Sequence, residues 1–374
     1  MHTSHKIVIS DSRTLTGLID GSIDLVVTSP PYPMIHMWDG LFSSMSSDAQ
    51  KSLHAHDGNS AFEAMHRELD KVWGELYRVL KPGCFACINI GDATRTIGGR
   101  FQLYPNHARI ISSFRALGFD TLPVILWRKQ TNAPNKFMGS GMLPSGAYVT
   151  LEHEYILVFR KGAKREFKTK AEKSERMKSS FFWEERNKWF SDVWDFKGTS
   201  QVLNNSDIRG RSAAYPLELA YRLINMYSLY GDVILDPFMG TGTTALASIA
   251  CGRSSIGVEI DKGFSPVIID QEKAFLPIAN RLLSNRISDH LEFISSRAKI
   301  KGPLKYHNIN HGFQVMTRQE MGIELFKVEE IMEAGVLEVR ASYAPAGRLD
   351  NTGNIEKECQ VLRDGAADQM MLSL

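Results

Sequence analysis

Two short stretches carry the residue types most able to do chemistry. The first is Thr28-Ser29-Pro30-Pro31-Tyr32, directly after an apolar run. Consecutive prolines stiffen the backbone and remove two N–H donors, so the carbonyls there act only as acceptors. Ser29 adds a hydroxyl and Tyr32 a flat aromatic face. That set suits the exocyclic amine of a nucleobase, a poor nucleophile because its lone pair is delocalised into the ring. Acceptors at Ser29 Oγ and the Pro30 carbonyl would hold the two amine hydrogens and push the nitrogen toward tetrahedral geometry. Tyr32 would stack on the base, with positioning and electrostatics supplying the catalysis. The competing reading is a plain Pro-Pro turn leaving a strand.

The second stretch is Val233-Ile-Leu-Asp236-Pro237-Phe238-Met-Gly240-Thr241-Gly242-Thr243-Thr244, followed by a strand ending in Glu259-Ile260. Gly240 and Gly242 permit a tight turn, and a helix beginning near Thr243 exposes free N–H groups. Glu259 lies 19 positions after Gly240, where a carboxylate can accept from ribose hydroxyls. The third glycine of a G-x-G-x-x-G fingerprint is missing, and there is no G-x-x-x-x-G-K-[ST] loop. A ribose-binding acid without a pyrophosphate cradle suits a nucleoside lacking phosphate, such as S-adenosylmethionine. A Gly-rich crossover turn without a ligand is the competing reading.

Both stretches need a scaffold that brings strand ends together. Apolar runs at 7–10, 22–28, 84–90, 122–127, 155–159, 233–235 and 255–260 read as strands. Helices are expected at 62–80, 106–117, 216–230, 243–250 and 275–284, the first from apolar residues spaced three and four apart. Residues 39–60 read as a long polar loop. Alternating strands and helices argue for an α/β fold, a doubly wound and mostly parallel sheet that binds ligands at the carboxyl ends of its strands.

Together, T-S-P-P-Y and a later D-P-F-x-G-T-G-T-T resemble the amino-directed DNA methyltransferases. Their order, catalytic motif first, resembles the permuted β group. The resemblance covers residues 5–262. It implies the S-adenosylmethionine-dependent methyltransferase fold, S-adenosyl-L-methionine as donor, and a target base flipped out of double-stranded DNA into the pocket. By position it makes Asp11 the acid near the cofactor adenine. Thr28, Asp236, Pro237, Phe238, Gly240, Thr241, Gly242, Thr243, Thr244 and Ile260 would hold the cofactor, with Glu259 on its ribose. Tyr215-Pro216 and the following helix would close over its methionine part. Lys81-Pro-Gly83 and residues 152–159 match scaffold and pocket-wall positions, and His153 is read as structural or substrate-positioning. Within the family S-P-P-Y is associated mostly with N4 of cytosine, so Ser29 favours that atom over N6 of adenine. C5-cytosine chemistry needs a Pro-Cys nucleophile, which the chain lacks. Glutamine methyltransferases of release factors carry the motifs in the opposite order. A non-catalytic DNA-binding regulator on the same fold is the rival from another class.

Net charge is +2 over 374 residues, but the segment 160–190 holds 11 Lys/Arg against five Asp/Glu. That local +6 is where a polyanion is expected, and it falls in the gap where the family places target recognition. Lys161, Lys164, Arg165, Lys168, Lys170, Lys173, Arg176 and Lys178 are the candidate phosphate contacts, with Arg209 and Arg211 beyond them. Aromatics Phe181, Phe182, Trp183, Trp189, Phe190 and Trp194 interleave with this charge. Met34, Ile35, Met37 and Trp38, next to the catalytic tyrosine, are candidates to wedge into the duplex. The expected division is a catalytic half (1–160), a target-recognition insertion (161–210), a cofactor-binding half (211–285) and a C-terminal extension (286–374) with a net charge of −3 beyond residue 300.

Hydrophobic residues at 43% and charged residues at 23% exclude a disordered chain. With no run of roughly 20 apolar residues and no apolar leader, the expected place is the cytoplasm, as monomer or homodimer, alongside a cognate restriction endonuclease. Four cysteines are too few for a disulfide scaffold. Cys84 and Cys87 lie in an apolar strand and read as a buried pair. No metal set is expected.

Overall fold

The computed structural model describes residues 1–129, 138–198 and 215–348. In chain order the elements are β1 (His2–Ile9), β2 (Ile23–Thr28), α1 (Asp39–Met45), α2 (Ser47–His54), α3 (Gly58–Val79) and β3 (Leu80–Ile90). The hairpin β4 (Ala93–Ile97) and β5 (Arg100–Tyr104) follows, then α4 (Asn106–Ala116), β6 (Phe119–Thr121) and β7 (Ile125–Arg128). Next come the hairpin β8 (Met138–Gly139) and β9 (Ala147–Tyr148), β10 (His153–Lys161), α5 (Lys170–Lys178), α6 (Trp183–Trp189) and β11 (Val193–Asp195). The chain continues with α7 (Leu217–Tyr227), β12 (Val233–Asp236), α8 (Thr243–Cys251), β13 (Ser254–Glu259), α9 (Ser265–Ala274) and α10 (Leu276–Lys301). It closes with β14 (Tyr306–His307), β15 (Gln314–Val315), β16 (Phe326–Gly335) and β17 (Glu338–Pro345).

All six residues of β2 are buried, as expected of a strand covered on both faces. Its parallel neighbours are β3 and β12; β13 and then β1 continue the parallel run. Antiparallel β10, flanked by β7 and β6, extends one side, and β17 with β16 extends the other. The result is an 11-stranded, mostly parallel sheet. One face is covered by α3 and α4, whose Met65, Leu69, Trp73, Leu76, Ile110 and Phe114 pack on Val26, Ala86 and Ile88. The other carries α7, whose Leu219, Leu223 and Ile224 pack with Leu25, Val27 and Ile234. The α/β doubly wound expectation is met.

Three expectations need correction. Residues 39–60 hold two short helices and the first turn of α3, not a loop. Buried Phe42 and Ala49 anchor them, and Ser46 and Asp57 cap them by accepting from Ala49 N and Ser60 N. The polar look came from their exposed faces. The helix expected at 275–284 is the start of the 26-residue α10, preceded by the unexpected α9. Residue 285 therefore falls inside a helix, and β16 and β17 beyond it join the main sheet alongside β1. Finally, three of the six aromatics of the basic segment are core, while Trp183 and Phe190 are exposed. Phe182, Trp189 and Trp194 are buried; Phe182 stacks on His290 of α10 at 3.8 Å, and Arg286 of α10 pairs with Glu185 at 2.6 Å.

Among the described residues no helix is long and apolar enough to cross a membrane. Cys84, Cys87 and Cys251 are buried free thiols, and burial pushes Cys84 up to about 11 and Cys251 to about 12. Cys359 lies outside the described residues, as do Arg209 and Arg211.

Candidate active site

Five parallel strands deliver their carboxyl ends to one cavity of about 890 Å³. The residues that follow or end them all line it: Asp11 after β1, Ser29 to Tyr32 after β2, Gly91 after β3, Pro237 after β12 and Glu259 at the end of β13. This is the crevice expected of an open parallel sheet.

On one wall the hydrogen bonds have a fixed polarity. Glu154, buried on β10, receives Lys129 at Oε1. Its Oε2 accepts from the Tyr32 hydroxyl at 2.9 Å and from Asn89 Nδ2 at 2.8 Å. Asn89 Nδ2 also lies 2.9 Å from the Tyr32 oxygen. Burial and the adjacent Glu154 charge hold the Tyr32 hydroxyl well above a tyrosine's usual pKa, so it keeps its proton and donates it to Glu154. The 3.1 Å bond between Ser29 Oγ and the Tyr32 oxygen then runs from serine to tyrosine. Ser29 is left with lone pairs to offer, as an acceptor. The sequence reading placed Glu154 only in a pocket wall and did not single out Asn89 or Lys129. They lie 57 to 125 positions from Ser29 and Tyr32, with no local motif, and only the pairing of β3 with β10 brings them there.

The opposite wall comes from the glycine loop. Gly240 has φ +53°, and a Cβ there would meet nothing within 4 Å, so the turn leaves an open bay. Glu259 spans it, accepting from Gly240 N through Oε2 and from Asp261 N through Oε1, both at 2.9 Å. Burial raises its pKa, opposed by those backbone donors. Asp11 lines the same bay, its carboxyl held below the usual value by the Arg13 hydrogen bond at 2.6 Å. Tyr215, Phe238, Thr241, Thr243 and Ile260 complete it.

Not every expected cofactor residue faces the cavity. Thr28, Pro216, Asp236, Gly242 and Thr244 are not among its lining residues. Asp236 sits beneath it, accepting from Thr28 Oγ1 at 2.5 Å, Thr244 Oγ1 at 2.6 Å, Phe238 N at 3.0 Å and the Tyr215 hydroxyl at 3.3 Å. It ties β2, the loop and α8 together. Pro216 precedes the first turn of α7.

The lining chemistry tests what the cavity can hold. Among the described residues, six carboxylates (Asp11, Glu68, Asp92, Glu154, Glu259, Asp261) face two side-chain cations, Arg13 and Lys129. Both cations are already paired, Arg13 with Asp11 and Glu68 and Lys129 with Glu154. Such a wall repels a pyrophosphate. It suits hydroxyl donors and a positively charged ligand, and S-adenosylmethionine is a nucleoside with a sulfonium and an ammonium group.

The expected phosphate contacts lie elsewhere. Lys161 Nζ donates to the carbonyls of Tyr77 and Leu80, at 2.5 and 2.8 Å, and Arg165 pairs with Asp232 at 2.8 Å. These partners stand at the amino ends of β3 and β12. The cavity opens at the opposite, carboxyl ends of these strands. Lys168 pairs with Glu166 and Lys178 with Glu175 and Glu324; Arg176 covers the Phe167 ring. Lys164, Lys170 and Lys173 belong to the same stretch. Of the expected wedge, Met34 is core at 1% exposure, Ile35 and Trp38 pack against the core and line the cavity, and Met37 is exposed.

A family model described as a DNA methylase matches residues 23–270. The chain is 53% identical over 328 residues to the type II methyltransferase M.MthZI of Methanothermobacter thermautotrophicus, covering 87% of this chain and 91% of that one. It is 49% identical over 277 residues to the type II methyltransferase M.MjaI of Methanocaldococcus jannaschii, covering 71% and 90%. Among solved structures it resembles a Thermus thermophilus protein described as a putative DNA modification methylase, solved with S-adenosyl-L-methionine. The TM-score is 0.57 at 33% identity, over 73% of this chain and 95% of that one.

Proposed function

The chain belongs to this DNA methylase family, whose methyl donor is S-adenosylmethionine, and on that premise we propose that it methylates N4 of cytosine in duplex DNA as the modification enzyme of a type II restriction system. The observation that carries the choice of atom is the acceptor wall headed by a serine. Ser29 is a neutral acceptor, and its S-P-P-Y setting is associated in this family mostly with cytosine N4.

In this reading Glu259 and Asp11 hold the ribose and the adenine end of the donor, and Tyr215 and Phe238 contribute apolar surface around it. Bound there, the donor supplies an electrophilic methyl group. Ser29 Oγ and the Pro30 carbonyl accept hydrogens from the target amine and turn its lone pair toward that methyl. Pro31 fixes the backbone between the Pro30 carbonyl and Tyr32. The Tyr32 ring, anchored through its hydroxyl by Glu154 and Asn89, offers a face for the base to stack on. The walls exclude water from the amine and cost little reorganisation during reaction.

The target base reaches this cavity by flipping from a duplex docked at the carboxyl edge. The hairpins β4–β5 and β8–β9 support that approach. The first follows the cavity residues Gly91 and Asp92; the second lies between Lys129 and Leu151, which also line the cavity. They are joined by Phe101 stacked on Tyr148 at 4.5 Å. Met142 (84% exposed) and Leu143 (69%) project from the second as an apolar tip. An apolar tip beside the mouth is suited to fill the gap a flipped base leaves in the stack.

The test is to incubate the protein with S-adenosylmethionine and diverse unmodified duplex DNA, hydrolyse to nucleosides and identify any methylated one by mass and retention. N4-methylcytosine is expected. N6-methyladenine would overturn the choice of base and keep the chemistry. Measurable cofactor binding with no modified base would favour a non-catalytic, DNA-binding role.

A further inference from the structure

The geometry points to the side-chain carbonyl of Asn89 as a further acceptor for the target amine, aimed by Glu154 and Lys129. This inference rests on the reading of the cavity as an amine-methylating site. Asn89 ends in an oxygen and a nitrogen, and the network fixes which is which. A carboxylate only accepts, so the Asn89 atom 2.8 Å from Glu154 Oε2 must be the donor Nδ2. The same nitrogen serves the Tyr32 oxygen at 2.9 Å. Its two hydrogens are thereby committed.

Oδ1 has no such partner. Asn89 is 2% exposed and lines the cavity, yet Oδ1 is buried without a hydrogen bond among the described residues. Leaving a buried carbonyl oxygen unmatched is costly, and in a ligand cavity the matching donor can come from the ligand. A flipped cytosine or adenine presents the N–H groups of its exocyclic amine as donors. Ser29 Oγ lies 3.4 Å from Asn89 Nδ2, so the Asn89 carboxamide belongs to the same wall, and with Ser29 holding one amine hydrogen, Oδ1 would share the other with the Pro30 carbonyl.

Lys129 and Glu154 act through Asn89. Were the carboxamide to turn over, its oxygen would face the Glu154 carboxylate and its NH2 would face the target amine, two donors opposed. The pair with Lys129 keeps Glu154 in place and so prevents the turn. Asn89 is then a catalytic residue that touches the substrate; Glu154 and Lys129 are positioning residues. An amide is too weak a base to take the proton that the amine sheds once the methyl has left sulfur for nitrogen; that proton passes to solvent as the product leaves, and Asn89 contributes orientation of the lone pair and loss of amine planarity.

The experiment uses the full-length enzyme and a duplex carrying its mapped target, with single-turnover rates and separate titrations of cofactor and duplex. Asn89→Ala should slow methyl transfer by about a hundredfold, the scale for deleting one hydrogen-bonding group aimed at the reacting centre. Cofactor affinity should change by less than about threefold. Two further duplexes place the target base and its analogue lacking the exocyclic amine opposite an abasic site, so that neither base has to be unpaired. The wild type should bind the amine-bearing duplex more tightly, and Asn89→Ala should lose that preference, a readout that a purely structural asparagine would leave intact. A swap guards against misfolding. Asn89→Asp alone sets two carboxylates together and should be nearly inactive, whereas adding Glu154→Gln restores a donor opposite the new acceptor and should recover at least about tenfold. Wild-type rates in Asn89→Ala, an undiminished preference for the amine, or no recovery in the swap would each overturn the inference. A wild type that modifies no base in any duplex would instead overturn the reading on which it rests.

Discussion

At the scale of single residues, two carboxylates at the ends of neighbouring strands have opposite duties. Glu259 uses one lone pair of each oxygen on a backbone N–H and still faces the cavity. Asp236 has donors from Thr28, Thr244, Phe238 and Tyr215 around it and faces none of it. Glu259→Ala should raise the dissociation constant for S-adenosylmethionine at least about tenfold in calorimetry, the loss of one to two hydrogen bonds to a charged group. Its melting temperature should barely move. Asp236→Asn should do the reverse. An amide NH2 there opposes hydroxyl donors, so about 1–3 kcal/mol of stability should go, seen as a lower melting temperature by circular dichroism. A stable Asp236→Asn with severely weakened cofactor binding would return Asp236 to direct ligand contact.

On the proposed reading, the elements decide which surface would meet the duplex. The charge of 160–190 reads from composition as a nucleic-acid patch, but composition does not say which end of a strand a segment packs against. Lys161 and Arg165 hold the amino ends of β3 and β12, and α6 packs on α10. The carboxyl edge instead bears the two hairpins. Met142→Ala with Leu143→Ala should therefore slow methylation of a fully paired duplex roughly tenfold or more. The rate should recover on a duplex whose target base is mismatched, because unpairing, worth a few kcal/mol, is then already done. Neutralising Lys170 and Lys173 in the same assay should leave the salt dependence of duplex affinity unchanged; a flatter slope would return the basic segment to the interface. The legibility of the sequence follows the same division. The S-P-P-Y and G-T-G loops were readable because each is local, and β2 because a strand buried on both faces is a continuous apolar run. Asn89, Lys129 and Glu154 were not singled out, since only strand pairing joins them. The helices at 39–54 were hidden because short elements bury few residues each, and β16 because seven of its ten residues are exposed, Lys327, Glu329 and Glu330 among them.

At the scale of the whole molecule, the charge of a buried acid bears on how stability varies with pH. Glu272 of α9 is fully buried, neither oxygen has a partner among the described residues, and burial pushes its pKa up to about 8. The folded state holds this proton more tightly than the unfolded chain, whose carboxyl titrates near 4.5. Stability from this group is complete below about pH 4.5 and is lost as pH rises toward about 8. Melting temperature should fall over that range in the wild type, and Glu272→Gln should flatten the decline and melt several degrees higher at pH 8. An equally steep decline in the variant would place the titrating group elsewhere. The placement of β1 has a consequence in time. Its partners are Ser255 to Glu259 on one side and Glu338 to Ser342 on the other, so it is translated long before either exists. Closing loops of this length is slow compared with forming local helices. A strand made so far ahead of its partners is thus among the last to be seated, and Asp11, which it carries to the cavity, arrives with it. On the ribosome the chain has no finished cofactor bay; the enzyme becomes able to modify DNA only after its synthesis has passed the second half of the sheet.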